Sequence, residues 1–247
     1  MRHYGIIGHP LLHSFSAKYF NEKFAREGID AEYSLYPINA DEWTSGKWTS
    51  IIDKLDGMNV TLPYKQAIIP YLKQLDETAA AIGAVNVVYK HTGYNTDCLG
   101  FMHSIRPLLR SYDKRALVLG TGGASKAVCY GLRKLGVEPT LVSRTPETGM
   151  LGYDRLTPDM MTEHTVIVNC TPLGMLPDVE TCPDIPYGQI TARHLLFDCV
   201  YNPEETLFLQ KGKAQGATIC NGLGMLFGQA KAAWEIWNSQ PDGKENN

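Results

Sequence analysis

Ala116-Leu117-Val118-Leu119-Gly120-Thr121-Gly122-Gly123-Ala124-Ser125 is the stretch that decides the fold. Its four apolar residues predict a short buried strand, and a glycine cluster follows at once. A helical pattern then runs to Leu135, with Val128, Leu132 and Leu135 on one face and Gly136 as its stop signal. The next strand is expected over 140–143. Alone, a glycine cluster reads equally well as a tight turn. Between a strand and a helix it fits the opening unit of a dinucleotide-binding fold, where backbone amides and a helix N-terminus meet a pyrophosphate.

The end of that second strand bears on the cofactor. NAD sites usually carry Asp or Glu there for the ribose hydroxyls, whereas arginine accommodates a 2′-phosphate. This chain has Ser143-Arg144-Thr145 and no acid. A guanidinium matches phosphate well, so NADP is favoured over NAD, the plain alternative being an exposed loop arginine. Later strands at 166–168 and 195–197 deliver Asn169-Cys170-Thr171-Pro172-Leu173-Gly174 and Asp198-Cys199-Val200-Tyr201 at their C-terminal ends. That edge is where open α/β sheets bind ligands.

The N-terminal part alternates strands and helices too, which predicts parallel α/β architecture throughout. Strands are expected at 4–7, 32–36, 57–61 and 84–89, with a helix over 17–27 that buries Phe20 and Phe24 and stops at Gly28. A turn at His91-Thr92-Gly93 is expected to lead into Asn95-Thr96-Asp97 and a helix through Ile105. The last helix should start after Gly222 and Gly224, with Leu226, Ala230, Ala233, Trp234 and Trp237 as its apolar stripe. Gln229 lies within that stripe. A buried glutamine needs a hydrogen-bond partner, either in the core or in a ligand.

Asn59-Val60-Thr61-Leu62-Pro63-Tyr64-Lys65 places a strand end, a proline and a lysine together. Pro63 suits the first turn of a helix, which would run on through Gln66, Ala67, Ile68 and Ile69. Lys65 would then lie near the positive end of a helix dipole, an unfavourable place for a cation by about 0.3–1 kcal/mol. A solvated surface lysine is the alternative. Trp43 and Trp48 read either as loop packing or as a contact surface.

Composition narrows the class. The chain has 247 residues, 44% hydrophobic and 20% charged, with net charge −3. These values fit one large or two smaller soluble domains and give no global field for nucleic acid. No apolar run reaches the roughly 18 residues of a membrane span. The start lacks the features of a signal peptide, so a cytoplasmic location is expected. The cysteines at 98, 129, 170, 182, 199 and 220 form no CxxC and read as small buried hydrophobes. His9 and His13 have the spacing of a metal pair, but Pro10 opposes a helix there, and no metal is expected. The tail 239–247 is expected to be disordered.

Together the motifs resemble the shikimate dehydrogenase family, over the span 4–237. The marks are His13-Ser14-Phe15-Ser16, the 59–65 stretch, Gly83-Ala84-Val85-Asn86, Asn95-Thr96-Asp97, the 120–124 glycine turn, Ser143-Arg144-Thr145, and Gly222-Leu223-Gly224-Met225-Leu226 with Gln229. The resemblance implies NADPH-dependent, reversible reduction of 3-dehydroshikimate to shikimate, on the chorismate route to aromatic amino acids. It also implies an N-terminal α/β substrate domain, residues 1–100 plus a returning helix 223–238, and a Rossmann-type NADP-binding domain, 114–222, with a cleft between them. Lys65 and Asp97 are the implied catalytic pair. Ser14 and Ser16 would hold the substrate carboxylate with Tyr201 nearby, although Ser16 also reads as a helix N-cap. Thr61, Lys65, Asn86, Asp97 and Gln229 would surround the ring hydroxyls, although Asp97 alone reads as a helix cap.

On the cofactor side the resemblance assigns Gly120, Thr121, Gly122, Gly123 and Ala124 to the pyrophosphate. Ser143, Arg144 and Thr145 go to the ribose phosphate, and Cys199 and Gly222 to the nicotinamide, with Glu77 a further candidate. Departures from the usual pattern are Ala17 for proline, Phe20 for histidine, Cys98 for glycine, Ser143 for asparagine and Asn221 for aspartate. The partner implied is a small-molecule substrate, with no nucleic acid or membrane, in a monomer or homodimer. The rivals are a broader quinate/shikimate dehydrogenase and a non-catalytic ligand sensor.

Overall fold

The computed structural model describes residues 1–11 and 14–239. By its internal contacts the chain forms two units, Met1–Thr96 with the chain from Ala230, and Asp97–Gln229. His13 and the tail 240–247, which figured in the expectations above, lie outside the described residues.

The first unit contains β1 (Arg2–Gly8), α1 (Phe15–Glu27), β2 (Ala31–Pro37), α2 (Ala40–Ser45), α3 (Ser50–Lys54), β3 (Gly57–Val60), β4 (Gln74–Leu75), α4 (Glu77–Ile82), β5 (Val87–Tyr89) and β6 (Thr92–Tyr94). Its sheet has the order β2-β1-β3-β5-β6-β4. β1 pairs parallel with β2 and β3, whereas β5 is antiparallel to both β3 and β6. This corrects the expectation of parallel strands throughout: β5 returns through a hairpin and not a crossover helix. α1 starts one residue after Ser14, whose hydroxyl accepts from the Ala17 N–H at 3.4 Å. It ends at Gly28, in the left-handed region at φ 63°. Phe20 and Phe24 are buried as the stripe required.

The β5–β6 hairpin corrects the expected turn at 91–93. The turn residues are Lys90 and His91, both with positive φ, as a two-residue hairpin loop demands. Thr92 and Gly93 belong to β6. Gly93 is there for packing: a Cβ would come within 2.7 Å of Leu72 and Val85 side-chain carbons.

The second unit contains α5 (Asp97–Ile105), β7 (Arg115–Leu119), α6 (Gly123–Lys134), β8 (Glu138–Ser143), β9 (Leu151–Gly152), α7 (Pro158–Glu163), β10 (Val166–Asn169), β11 (Leu195–Asp198), α8 (Leu207–Ala214), β12 (Thr218–Cys220) and the start of α9 (Leu223–Asn238). All its strands are parallel, in the order β12-β11-β10-β7-β8-β9. Renumbered from β7, that is the 3-2-1-4-5-6 order of dinucleotide-binding sheets, with its switch point between β7 and β10.

The central strands β7, β10 and β11 are apolar on both faces, because both are covered. Ala116, Val118, Val166, Val168, Leu195 and Phe197 pack with Phe101, Ile105, Val128, Leu132 and Met225. Leu117, Leu119, Val142, Ile167 and Leu196 pack with Met161, Phe208 and Leu209 on the other side. Phe101 and Ile105 explain why α5 belongs with the second unit. The last turns of α9 return to the first unit, where Ala230, Ala233 and Trp237 pack with Tyr4, Phe20, Phe24 and Tyr33. No helix among the described residues is long and apolar enough to cross a membrane.

Candidate active site

The 59–65 stretch does not continue as a helix. Residues 62–68 form turns, and a single 3₁₀ turn, Ile69–Tyr71, follows. Lys65 therefore does not sit at a helix N-terminus, and the dipole placement expected for it is corrected. Two causes are visible. Pro63 and Pro70 enclose a run too short to sustain a helix. The Lys65 carbonyl, which a helix would offer to residue 69, instead accepts the Val85 N–H at 2.7 Å. The Ile69 N–H turns to Gln66 at 3.2 Å.

A buried polar lattice joins this stretch to two other motifs within the first unit. Asn59, on β3, accepts the Tyr33 hydroxyl at 2.7 Å and donates to the Asn86 carbonyl at 3.2 Å. Asn86 donates to the Thr96 hydroxyl at 3.0 Å and accepts the Thr96 N–H at 2.7 Å. Asn95 donates to the Ala84 carbonyl at 3.0 Å. Burial pushes the Tyr33 phenol well above its ordinary range, and a hydrogen bond with Ser16 acts against that rise. Ser16 is the second residue of α1 and is buried, so the N-cap is Ser14 and the cap reading of Ser16 is corrected. Thr61 donates its N–H to the Ile7 carbonyl at 2.9 Å. Thus Ser16, Asn59, Asn86 and Thr96 join in one lattice through Tyr33, the Val85 N–H next to Asn86 holds the Lys65 backbone, and Thr61 is tied to β1.

Asp97, Gln229 and Tyr201 lie in the second unit. Asp97 opens α5 and is buried, as is Gln229 on α9. Glycines set these two helices against each other. A Cβ on Gly100 would collide with the Met225 carbonyl oxygen and lie 2.8 Å from the Gln229 nitrogen. A Cβ on Gly228 would lie 2.9 Å from the Gly100 Cα. Asp97 is three residues before Gly100, on the same helix face, so the crossing brings its turn beside that of Gln229. Tyr201 is more exposed, in the loop after β11.

At the C-terminal edge of the second sheet, Gly120 follows β7 with φ 101°, and Gly122 is the N-cap of α6. Thr121 and Gly122 are exposed, whereas Gly123 is buried and Ala124 half-buried. No atom lies within 4 Å of the place a Gly122 Cβ would take. The open side of this turn and the N-terminus of a 12-residue helix suit a pyrophosphate, so the residues present fit a dinucleotide. Ser143 ends β8 and is buried, its hydroxyl accepting the Thr145 N–H at 3.2 Å. Arg144 and Thr145 are exposed beside it. Gly222 packs against the Cys199 carbonyl with no room for a Cβ, and its N–H donates to Val200 at 3.1 Å. Cys199 and Cys170 face each other at 3.7 Å between sulfurs. Glu77 belongs to the first unit, exposed in the first turn of α4, where a carboxylate suits the helix dipole.

One residue that the sequence places at this edge was given no role there. Asp198 is fully buried at the end of β11 and accepts from Asn169 at 3.0 Å, the Val200 N–H at 2.9 Å and Thr206 at 2.6 Å. Asn169 in turn accepts both the N–H and the hydroxyl of Thr171. The knot holds the loops after β10 and β11 together. Burial pushes the Asp198 carboxyl up to about 6 despite these three hydrogen bonds. The signal available was an acid closing an apolar strand.

The shikimate dehydrogenase substrate binding domain model matches residues 6–88. The shikimate dehydrogenase (NADP(+)) of Methanosphaera stadtmanae is 34% identical over 98% of this chain and 93% of its own length. That of Aquifex aeolicus is 38% identical over 95% and 90%.

This chain belongs to the shikimate dehydrogenase family.

Solved shikimate dehydrogenases agree. The Aquifex aeolicus structure superposes with a TM-score of 0.84 at 36% identity, covering 96% of this chain and 92% of that one. The Thermus thermophilus shikimate dehydrogenase, solved with NADP(H) and shikimate, gives 0.84 at 29% identity over 96% and 94%.

Proposed function

We propose that this chain catalyses the reversible, NADP-linked reduction of 3-dehydroshikimate to shikimate, in a cytoplasmic setting. The observation that carries the reading is the buried lattice of Asn59, Asn86 and Thr96. It joins the segments of Asn59, Asn86 and Thr96, and Val85, next to Asn86, holds the Lys65 main chain. A ring bearing a carboxylate and several hydroxyls calls for such a fixed polar lining, because each buried polar group must be matched.

NADPH, when bound, supplies the hydride that reaches the ketone carbon. Lys65 is assigned as the group that meets the consequence. As the ketone is reduced, negative charge grows on its oxygen, and an ammonium in hydrogen-bond reach both stabilises that charge and donates the proton. In the oxidative direction the lysine takes the proton back. Asp97 is assigned to orient the reacting hydroxyl. Ser14 and Ser16, with Tyr201, are assigned to the carboxylate, and Thr61, Asn86 and Gln229 to the ring hydroxyls. Residues 1–100 with the returning helix would bind substrate, and 114–222 cofactor.

Gly120, Thr121, Gly122, Gly123 and Ala124 would hold the pyrophosphate, with Ser143, Arg144 and Thr145 at the ribose phosphate and Cys199 and Gly222 at the nicotinamide. Glu77 is better matched to the helix dipole at the start of α4 than to cofactor. The purified protein should reduce NADP⁺ when given shikimate, with a kcat/KM above that for quinate. Equal use of quinate would make it the broader enzyme, and no turnover with any cyclitol acid would leave a ligand sensor.

A further inference from the structure

The segment that carries Lys65 is a series of turns closed by the 3₁₀ turn Ile69–Tyr71, not a continuous helix. Within 64–69 the Ile68 N–H bonds to Tyr64 at 3.0 Å, and the Ile69 N–H closes a three-residue turn on Gln66 at 3.2 Å. Something outside the segment has to fix where the lysine begins. The Val85 N–H holds its carbonyl, and the neighbouring side chain supplies a second anchor.

Tyr64 is buried, and its ring lies on the Trp43 indole at 3.9 Å between centroids and 5° between planes. Trp43 lies in turn on Trp48 at 4.1 Å and 15°, and the Trp48 Nε1–H donates to the Trp43 carbonyl at 3.0 Å. The Tyr64 hydroxyl donates to the Ile38 carbonyl at 2.5 Å, and the Ile38 N–H donates to Gly8 at the end of β1. At the far end of the segment, Tyr71 meets the same two indoles edge-on, at 5.6 and 4.9 Å. The aromatic platform on α2 and the turn after it therefore grips the Lys65 segment on both sides. This places Trp43 and Trp48 in loop packing.

We propose that Tyr64 is a positioning residue for Lys65, its ring seated on Trp43 and its hydroxyl tied to Ile38 so that the lysine side chain starts from a fixed point. The proposal rests on the reading of Lys65 as proton donor. Tyr64→Leu removes both anchors, whereas Tyr64→Phe keeps the stack. Each is made alone, Tyr64→Leu is combined with Lys65→Ala, and kcat and both KM values are measured for shikimate oxidation alongside thermal melting.

Tyr64→Leu should lower kcat by about 10- to 100-fold with the NADP⁺ KM within about twofold, the scale on which slight misplacement acts. Tyr64→Phe should restore kcat to within about threefold of the parent. In the Lys65→Ala background Tyr64→Leu should have no further effect, since a residue acting through another is silent once that one is gone. A folded Tyr64→Leu protein with parental kcat, or the same loss with and without Lys65, would overturn the proposal. Near-normal turnover by Lys65→Ala alone would instead remove the lysine's role, and the proposal with it. If Tyr64→Leu does not fold, Trp43→Leu must give the same kcat signature, and parental kcat there overturns the idea equally.

Discussion

At the level of single residues, two groups in the second unit have separable consequences. Arg144 is exposed at the end of β8 with no acid in its triplet, the arrangement expected for a 2′-phosphate. Arg144→Ala should raise the KM for NADPH far more than that for NADH, and equal effects would contradict phosphate recognition. Asp198 gives a pH prediction. Its carboxyl is pushed up to about 6 by burial, so the folded protein holds that proton over a range where the unfolded chain has released it. The stability this group contributes is full below about pH 4 and falls as pH rises through about 6. Across that window Asp198→Asn should gain on the parent by on the order of 2 kcal/mol in urea unfolding. A difference that does not vary with pH would show that the group does not titrate there. Asp198 was legible as a strand-end acid, but its three partners come from residues 2 to 29 positions away and were not.

Among the elements, regular patterns were readable and contacts between them were not. The stripe of Phe20 and Phe24 and the glycine stop at Gly28 foretold α1 because helix periodicity and capping are local. β9 has two residues, too few for any period to show. The segment after Pro63 carries helix-like composition, yet Val85 takes the Lys65 carbonyl and tertiary bonding overrides it. Gly100 and Gly228 looked like ordinary glycines until the crossing of α5 and α9 showed why neither tolerates a Cβ. Gly100→Ala should lower stability by about 1–3 kcal/mol, because the obstructing atoms are backbone and the helices have to part. It should also raise the KM for shikimate, since Asp97 and Gln229 flank that crossing. Unchanged melting and KM would mean the two helices yield without consequence.

Across the whole molecule, the α/β class, the dinucleotide-binding unit and the family follow from short motifs spaced along nearly the full chain. Strand, glycine turn and helix between Ala116 and Leu135 predict one unit because the pyrophosphate requirement shapes backbone as well as side chains. The sheet order of the first unit was not readable, since β5 and β6 pair through a turn without glycine. The site residues come from separate segments, and only the hydrogen-bond lattice around Asn86 shows how Asn59, Thr96 and Lys65 are held in one frame. The central claim is that Lys65 moves the proton while the dinucleotide unit serves hydride transfer. It is tested most directly by the kcat of Lys65→Ala for shikimate oxidation with NADP⁺ at saturating substrate. That kcat should fall by about 10²- to 10⁴-fold with KM changed far less, the usual scale for losing a positioned general acid. A folded Lys65→Ala protein turning over at near the parental rate would contradict it.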